Sequence, residues 1–179
     1  MNTTKDFVVQ GRLPDFDRST LHRETFPVNI RLYRDNEQFR KIITSIVEYL
    51  SWFLEQKWSN YDQARGVSTA SLGIPWNIVG YWVNGEKKFL LNPKIIDHSV
   101  AVVSSYTNCS SFNLKNKIHI SRYEWVTVRY FDLDGNYQLD EKISREKGGL
   151  TLQHEILQNH AETILDTYLA QGNSLDNLE

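Results

Sequence analysis

The 179-residue sequence predicts one α+β domain in which a mostly antiparallel sheet lies between two helical segments. Three observations favour this fold. A helix-period apolar stripe begins near residue 35, short β-favouring runs with turn signals fill the middle of the chain, and a second helical stripe follows Gly148-Gly149. No internal repeat interrupts this order, so a single sequence of helix, sheet and helix is expected.

The composition excludes several classes of protein. With 40% hydrophobic and 23% charged residues, the chain lies in the globular range and not in the disordered one. A formal net charge of −2 provides no broad cationic field, so neither nucleic acid nor an anionic membrane is expected as a partner. No apolar stretch reaches the roughly 20 residues that span a bilayer. We expect a soluble and, without a removed leader peptide, cytoplasmic protein.

The first long helix is predicted to begin at Asp35 and to run to about residue 59. Asp35 and Gln38 form the expected N-cap pair. The residues that recur at helical spacing and form one apolar stripe are Phe39, Ile42, Ile43, Ile46, Val47, Leu50, Phe53 and Leu54. Residues 1–34 show no sustained period and are expected to form an extended lead-in with a few short strands.

The middle of the chain is predicted to be a sheet, after a turn-rich segment at 66–78. The predicted strands are 78–83, 88–95, 100–106, 118–120 and 125–133. Asn84-Gly85 and Asp134-Gly135 are hairpin signals, because these residue types accept positive φ. After Gly149, one helix is predicted to end at Gly172, with an apolar stripe formed by Leu157, Ala161, Ile164, Leu165 and Tyr168.

His154-Glu155 is the start of a His-Glu-x-x-His signature, in which two histidines one turn apart bind zinc. Position 158 is Gln158, however, and His160 is six residues after His154, about 240° around a regular helix and about 9 Å along it. Two imidazoles so placed cannot bind one ion. By itself, the His-Glu pair is more typical of a solvated or hydrogen-bonded pair than of a metal site.

Two other segments have weak chemical signals. Cys109 is the single cysteine, so no intramolecular disulfide can form, and a lone cysteine is typically a small buried residue. The small-residue segment 65–70 is most simply the exit from the first helix.

Trp76, Tyr81 and Trp82 either line an apolar groove or pack in the core and at its edge.

In this order, the segments resemble the motifs of the peptide deformylase family. The family motifs are Gly-x-Gly-x-Ala-Ala-x-Gln, Glu-Gly-Cys-Leu-Ser and Gln-His-Glu-x-x-His. The corresponding segments here are GVSTASLG from Gly66, TNCSS from Thr107 and QHEILQ from Gln153. LLNPKII from Leu90 and ISRYEWVTVRYFDLDG from Ile120 are similar to the family's Asn-Pro strand and Arg-containing hairpin.

The resemblance covers residues 28–169 and implies a deformylase-like fold, with sheets packed around a C-terminal helix that carries His-Glu. It implies an N-terminal extension at 1–27, one domain at 28–172 and a tail at 173–179. The oligomeric state stays open.

The resemblance also implies roles for individual residues in removing the N-formyl group from nascent peptides. In the family, Cys and two His bind Fe²⁺ or Zn²⁺, which would place the metal ligands at Cys109, His154 and Gln158. Glu155 would be the general base, and the oxyanion donors would be the backbone N–H of Ser110 and the side chain at position 73, which is Gly73 here. The residues of the substrate groove would be Gly66, Val67, Ser68 and Trp76.

The departures from the motifs bear on activity. Gln158 replaces an imidazole, Gly73 replaces the oxyanion amide, and Thr107-Asn108 replaces Glu-Gly. An amide oxygen is a poor ligand for a borderline-soft ion, and loss of one oxyanion donor typically costs about 2.7–4 kcal/mol of transition-state stabilisation. We therefore expect weakened or lost metal-dependent deformylation, with the protein acting by binding a peptide, such as a formyl-methionyl peptide, or a protein.

Two alternatives stay open. The chain could be an active metal-dependent amidohydrolase that uses Cys109, His154 and Gln158 as ligands and Glu155 as general base. In the second alternative, a helix distortion brings His160 into the metal site instead of Gln158.

Overall fold

The computed structural model describes residues 24–58, 64–107, 118–135 and 138–173. Its helices are α1 (Ile30–Asp35), α2 (Glu37–Trp58), α3 (Gly149–Asn159) and α4 (Ile164–Ala170). Its strands are β1 (Arg65–Ser68), β2 (Ile78–Val83), β3 (Glu86–His98), β4 (Val102–Thr107), β5 (Ile118–Tyr123), β6 (Trp125–Phe131) and β7 (Gln138–Ser144). Short 3₁₀ turns at Ala70–Leu72 and Arg145–Lys147 follow β1 and β7.

All strand pairs of the two sheets in the described chain are antiparallel. One sheet has the order β1-β2-β3-β6-β7, and β4 pairs with β5 in a separate two-stranded sheet. This arrangement confirms the predicted α+β class and the mostly antiparallel sheet.

The larger sheet has a helix on each face. Successive residues of a strand point to opposite faces, so Ile78 contributes to the core beneath α2 and Val79 to the core beneath α3. On the α2 side the central buried residues are Ile43, Ile46, Leu50, Leu54, Val67 and Leu91. On the α3 side they are Tyr81, Leu90, Val126, Val128, Ile143, Leu152 and Ile156. The core on the α3 side fixes the position of α3 against the sheet.

The start of the first long helix differs from the prediction. The chain divides at Asn36 into α1 and α2, and the Asn36 side chain accepts a hydrogen bond from the Phe39 N–H at 2.8 Å. Asp35 therefore ends α1 instead of capping α2 with Gln38. Asn29 caps α1 in the same manner, so residues 30–34, predicted as extended, are helical. Local side-chain caps decided these boundaries, because neither helix start has an apolar period that could reveal it.

Both predicted hairpin turns are confirmed. Asn84 and Gly85 have φ values of 52° and 83° between β2 and β3, and Gly135 has a φ of 66° between β6 and β7. Two strands were missed: β1 lies in the segment predicted as turn-rich, and β7 has a mostly polar sequence. Four residues are too few for a period-2 pattern in β1, and β7 places few apolar side chains in the core.

The predicted single C-terminal helix is wrong, because the chain forms α3 and α4 with a break between them. Ala161 has a left-handed φ of 63°, and Thr163 caps α4 in a reciprocal arrangement with Asp166. The stripe predicted from Leu157 to Tyr168 therefore does not lie on one helix. No helix in the described ranges is long and apolar enough to cross a membrane.

Asn159, the last residue of α3, joins this helix to the segment after β1. Its side chain is fully buried and accepts a hydrogen bond from the Ala70 N–H at 3.0 Å. Its amide nitrogen donates to the side-chain oxygen of Asn77 and to the carbonyl oxygen of Ile78, both at 3.0 Å. These bonds satisfy buried polar groups on both elements, so they fix the distance between α3 and the segment 70–78.

Replacing Asn159 with alanine is expected to lower the free energy of unfolding by about 2–4 kcal/mol, because several buried polar partners lose their hydrogen bonds. Urea denaturation measures the change. Asn29→Ala is the control, since it removes an exposed helix cap and should cost about 1 kcal/mol. Equal losses in the two variants would show that the Asn159 network contributes little.

Candidate functional site

The candidate site lies where β1 passes α3. The strand alternation turns the side chain of Val67 into the core beneath α2 and leaves positions 66 and 68 facing α3. On α3, positions 155, 158 and 159 share one face because they are three and four residues apart. Strand and helix periodicity together therefore bring Ser68 beside Glu155 and Gln158.

Glu155 is buried against the backbone of β1. A Cβ atom added to Gly66 would lie 2.5 Å from the Glu155 Cγ and 2.8 Å from the Thr151 Cγ2. Only glycine leaves room for the carboxylate side chain at this position. Gly66 therefore has a packing role for the general-base candidate.

Burial raises the pKa of Glu155 to about 7. The hydrogen bond from the backbone N–H of Ser68, the nearby Ser68 hydroxyl and the charge of Arg122 act in the opposite direction. The raised pKa places the titration of this carboxyl near neutral pH, where a group can both accept and release a proton.

Gln158 is buried and its side chain is engaged by Ser68. The Ser68 hydroxyl donates a hydrogen bond to the Gln158 Oε1 at 2.8 Å, and both residues are 1% exposed or less. Ser71 holds Ser68 in turn, because its hydroxyl donates to the Ser68 carbonyl oxygen at 2.6 Å. The amide oxygen at the position of the expected metal ligand is thus already an acceptor within the protein.

His154 lies on α3 beside Glu155 and is partly buried. Burial lowers its pKa to about 3, and the positive charge of Arg122 acts in the same direction. The imidazole is therefore neutral at physiological pH, which is the form that binds metals.

Arg122 is a buried cation near this site that sequence reasoning did not single out. Residues 118, 120 and 122 of β5 are buried in alternation, and Arg122 is the charged member of that series. A charged residue on an otherwise apolar strand face was the signal that could have revealed it. Gln153 of α3 fixes the end of β5, since its side chain accepts from the Tyr123 N–H at 3.0 Å and donates to the Tyr123 carbonyl oxygen at 2.8 Å.

Gly73 supplies no side-chain donor at the position of the family's oxyanion glutamine. It ends the turn Ala70–Leu72 with a left-handed φ of 68°, and its N–H donates to the Ala70 carbonyl oxygen at 3.1 Å. A residue with a Cβ atom would be strained in this conformation. The left-handed backbone at position 73 therefore favours glycine over the glutamine of the family motif.

The aromatic residues near the site contribute to packing. Trp76 contacts Phe39 edge-on at 5.4 Å between ring centroids and is partly buried. Tyr81 is 1% exposed in the core beneath α3. The guanidinium of Arg65 lies 4.8 Å from the centroid of the Trp82 ring. These contacts match the packing interpretation of the aromatic residues, while a ligand contact of Trp76 stays a prediction.

Cys109 and Ser110 lie outside the described residues, as does Asn108 of the replaced Glu-Gly pair. The predicted proximity of the Cys109 sulfur and the His154 ring therefore stays a prediction. β5 begins at Ile118, directly opposite Thr107, the last residue of β4.

The described donor groups do not fit a metal site with two imidazoles. His154 is one imidazole, but position 158 offers a neutral amide whose oxygen accepts the hydrogen bond from Ser68. His160 follows the end of α3, and its Nδ1 lies 3.7 Å from a carboxylate oxygen of Glu24. His160 therefore lies beyond α3 and beside Glu24, and its recruitment to the site by a helix distortion has no support in the contacts of this residue.

Comparisons with known proteins give a consistent result. A family model described as polypeptide deformylase matches residues 13–172, which includes part of the segment before residue 28. The chain is 31% identical over 154 residues to a peptide deformylase of Mycoplasma genitalium, with 78% of this chain and 74% of that protein covered.

Solved structures are similar in fold. The peptide deformylase of Thermotoga maritima has a TM-score of 0.66 at 20% identity, covering 87% of this chain and 95% of that one. The deformylase 1B of Arabidopsis thaliana in complex with an inhibitor has a TM-score of 0.70 at 19% identity, covering 92% and 80% of the two chains.

The raised pKa of Glu155 predicts a pH-dependent contribution to stability. Between about pH 4.5 and pH 7 the unfolded carboxyl loses its proton while the folded one keeps it, so stability falls as pH rises through this window. A tenfold change in proton affinity corresponds to about 1.4 kcal/mol, and the loss is therefore about 3 kcal/mol. Glu155→Gln lacks this contribution and should gain stability relative to the unmodified protein between pH 4.5 and pH 8.

Urea denaturation of both proteins at the two pH values measures this difference. The lowered pKa of His154 destabilises the fold as pH falls below 6.5, but this contribution is common to both proteins and cancels. Glu48→Gln, at an exposed position of α2, is the control and should show no such change. A pH-independent difference for Glu155→Gln would mean that Glu155 titrates normally.

Proposed function

This chain belongs to the peptide deformylase family, and we propose that it is a divergent member in which metal-dependent removal of the N-formyl group from nascent peptides is weakened or lost. We propose that it acts by binding a peptide or a protein partner, in the cytoplasm. The family is metal-dependent and acts on formylated nascent peptides, so a peptide is the expected class of ligand.

The hydrogen bond between Ser68 and Gln158 is the observation that carries this proposal. An amide oxygen is a weak ligand for Fe²⁺ or Zn²⁺ in place of an imidazole. Here that oxygen also accepts a buried hydrogen bond, which a ligated ion would have to displace or share. Both effects lower the affinity of the site for metal.

Gly73 supports the same conclusion independently of the metal. Without a side chain, this residue cannot donate a hydrogen bond to the oxyanion that forms during attack on a formyl group. Loss of one such donor typically lowers kcat by about 10² to 10³. Efficient turnover would therefore be compromised even at a fully loaded metal site.

The backbone of β1 is the feature best suited to peptide binding. Within the described residues β1 pairs only with β2, so it forms one edge of the sheet. Val67 and Ser68 are buried, and Gly66 has no side chain, so recognition at this strand would use backbone N–H and C=O groups. An extended peptide can add to such an edge as a further strand.

We expect protein purified anaerobically without chelators to contain much less than one metal ion per chain, and to hydrolyse a formyl-Met peptide at least about 10²-fold more slowly than an active deformylase. The Mycoplasma genitalium relative, prepared and assayed in parallel, is the control. Metal analysis and a formate-release assay make the measurement. Stoichiometric metal together with turnover equal to that of the relative would refute the proposal.

The buried Glu155 favours the alternative that the chain is an active metal-dependent amidohydrolase, with Cys109, His154 and Gln158 as ligands of Fe²⁺ or Zn²⁺. A carboxyl group with a pKa near 7 suits a general base. This alternative predicts that Glu155→Ala abolishes hydrolysis and leaves the metal content unchanged, whereas Glu48→Ala alters neither. A formate-release rate that is the same in Glu155→Ala and the unmodified protein would eliminate it.

A further inference from the structure

Building on the proposed function, we propose that Ser68 engages the Gln158 amide oxygen in competition with a metal ion. The substitutions at positions 68 and 158 then act as one unit, and Ser68 is a determinant of metal affinity. Ser68 is not among the residues that the family resemblance places at the metal, so its role is to position Gln158.

The hydrogen bond depends on both substitutions. Position 68 corresponds to the second glycine of the Gly-x-Gly-x-Ala-Ala-x-Gln motif. Position 158 corresponds to the second histidine of the Gln-His-Glu-x-x-His motif. A glycine would have no hydroxyl to donate, and an imidazole would have no amide oxygen to accept. The bond of 2.8 Å between the Ser68 hydroxyl and the Gln158 Oε1 is therefore specific to a chain that carries both changes.

The surroundings of Ser68 hold its hydroxyl in place. Ser71, at a position where the motif has alanine, donates its hydroxyl to the Ser68 carbonyl oxygen at 2.6 Å. The Ser71 N–H donates to the Ser68 hydroxyl oxygen at 3.4 Å, which leaves the Ser68 proton directed to another acceptor. The neighbouring Ala70 N–H is bound by Asn159, so the segment around Ser68 is anchored to α3.

Burial makes the hydrogen bond between Ser68 and Gln158 an effective competitor of metal binding. Ser68 is 0% exposed and Gln158 is 1% exposed, so water cannot replace either partner if the amide turns towards an ion. The net contribution of such a bond corresponds to about a 2- to 10-fold change in an equilibrium constant. A histidine introduced at position 158 would meet the same hydroxyl, and its ring would be held by that donor in competition with the metal.

Co²⁺ titration of the full-length apoprotein tests the role of Ser68. The variants are Gln158→His alone, Gln158→His with Ser68→Gly, and Gln158→His with Ser68→Ala. The visible spectrum of Co²⁺ reports both affinity and coordination, including a charge-transfer band if the Cys109 thiolate is a ligand. Ser99→Gly in the Gln158→His protein is the control, because Ser99 is a buried serine that bonds the Ala101 carbonyl oxygen away from α3.

Both Ser68 variants should bind Co²⁺ about 2- to 10-fold more tightly than Gln158→His alone, and the Ser99 control should not. Ser68→Ala keeps the Cβ atom and suits a strand, so it tests the hydroxyl even if Ser68→Gly does not fold. Equal affinity with and without the Ser68 hydroxyl, or no Co²⁺ binding by any variant, would overturn the role assigned to Ser68. Stoichiometric, tight Co²⁺ binding by the unmodified protein would instead refute the proposed function, and the Ser68 comparison would still be decided by the variants.

Discussion

The buried polar contacts between α3 and the segment that begins with β1 determine the geometry of the described part of the site. Asn159 binds the backbone of Ala70 and Ile78, and Gln158 accepts from Ser68 one position earlier along the helix. These groups have no access to water, so each would be costly to leave unpaired. The same contacts that stabilise the domain therefore also decide which side-chain atoms are available for chemistry.

This coupling explains how the deformylase fold can persist while the residues at the metal-binding positions change. The apolar core beneath α3 holds this helix against the sheet. Within that frame, Ser68 and Gln158 satisfy each other, and Gly66 still leaves room for Glu155. The described part of the site retains a buried carboxyl and a neutral imidazole, and its Gln158 amide oxygen accepts a hydrogen bond from Ser68.

The sequence predicted the features that depend on local pattern. The apolar stripe of α2 and the hairpins at Asn84-Gly85 and Asp134-Gly135 follow from side-chain periodicity and from backbone preferences at turns. The break before α4 was missed because Ala161 adopts a left-handed conformation that its own preference opposes. Backbone hydrogen bonds from Ala161 and Glu162 to the last turn of α3 and the cap at Thr163 stabilise it. Helix boundaries of this kind depend on a few hydrogen bonds and not on hydrophobic period.

At the site, motif resemblance identified Glu155, His154 and Gln158, because their spacing on one helix is visible in the sequence. The bond between Ser68 and Gln158 joins residues 90 positions apart, so no local pattern could predict it. Arg122 affects the pKa of both Glu155 and His154 from β5, and it too acts through tertiary contact.

A crystal structure grown with excess Zn²⁺, with anomalous data collected at the zinc edge, tests the central claim most directly. We expect that the Ser68 hydroxyl still donates to the Gln158 amide and that no anomalous peak lies within ligating distance of the Gln158 oxygen. A fully occupied ion bound by Cys109, His154 and Gln158, with Ser68 turned away, would contradict it.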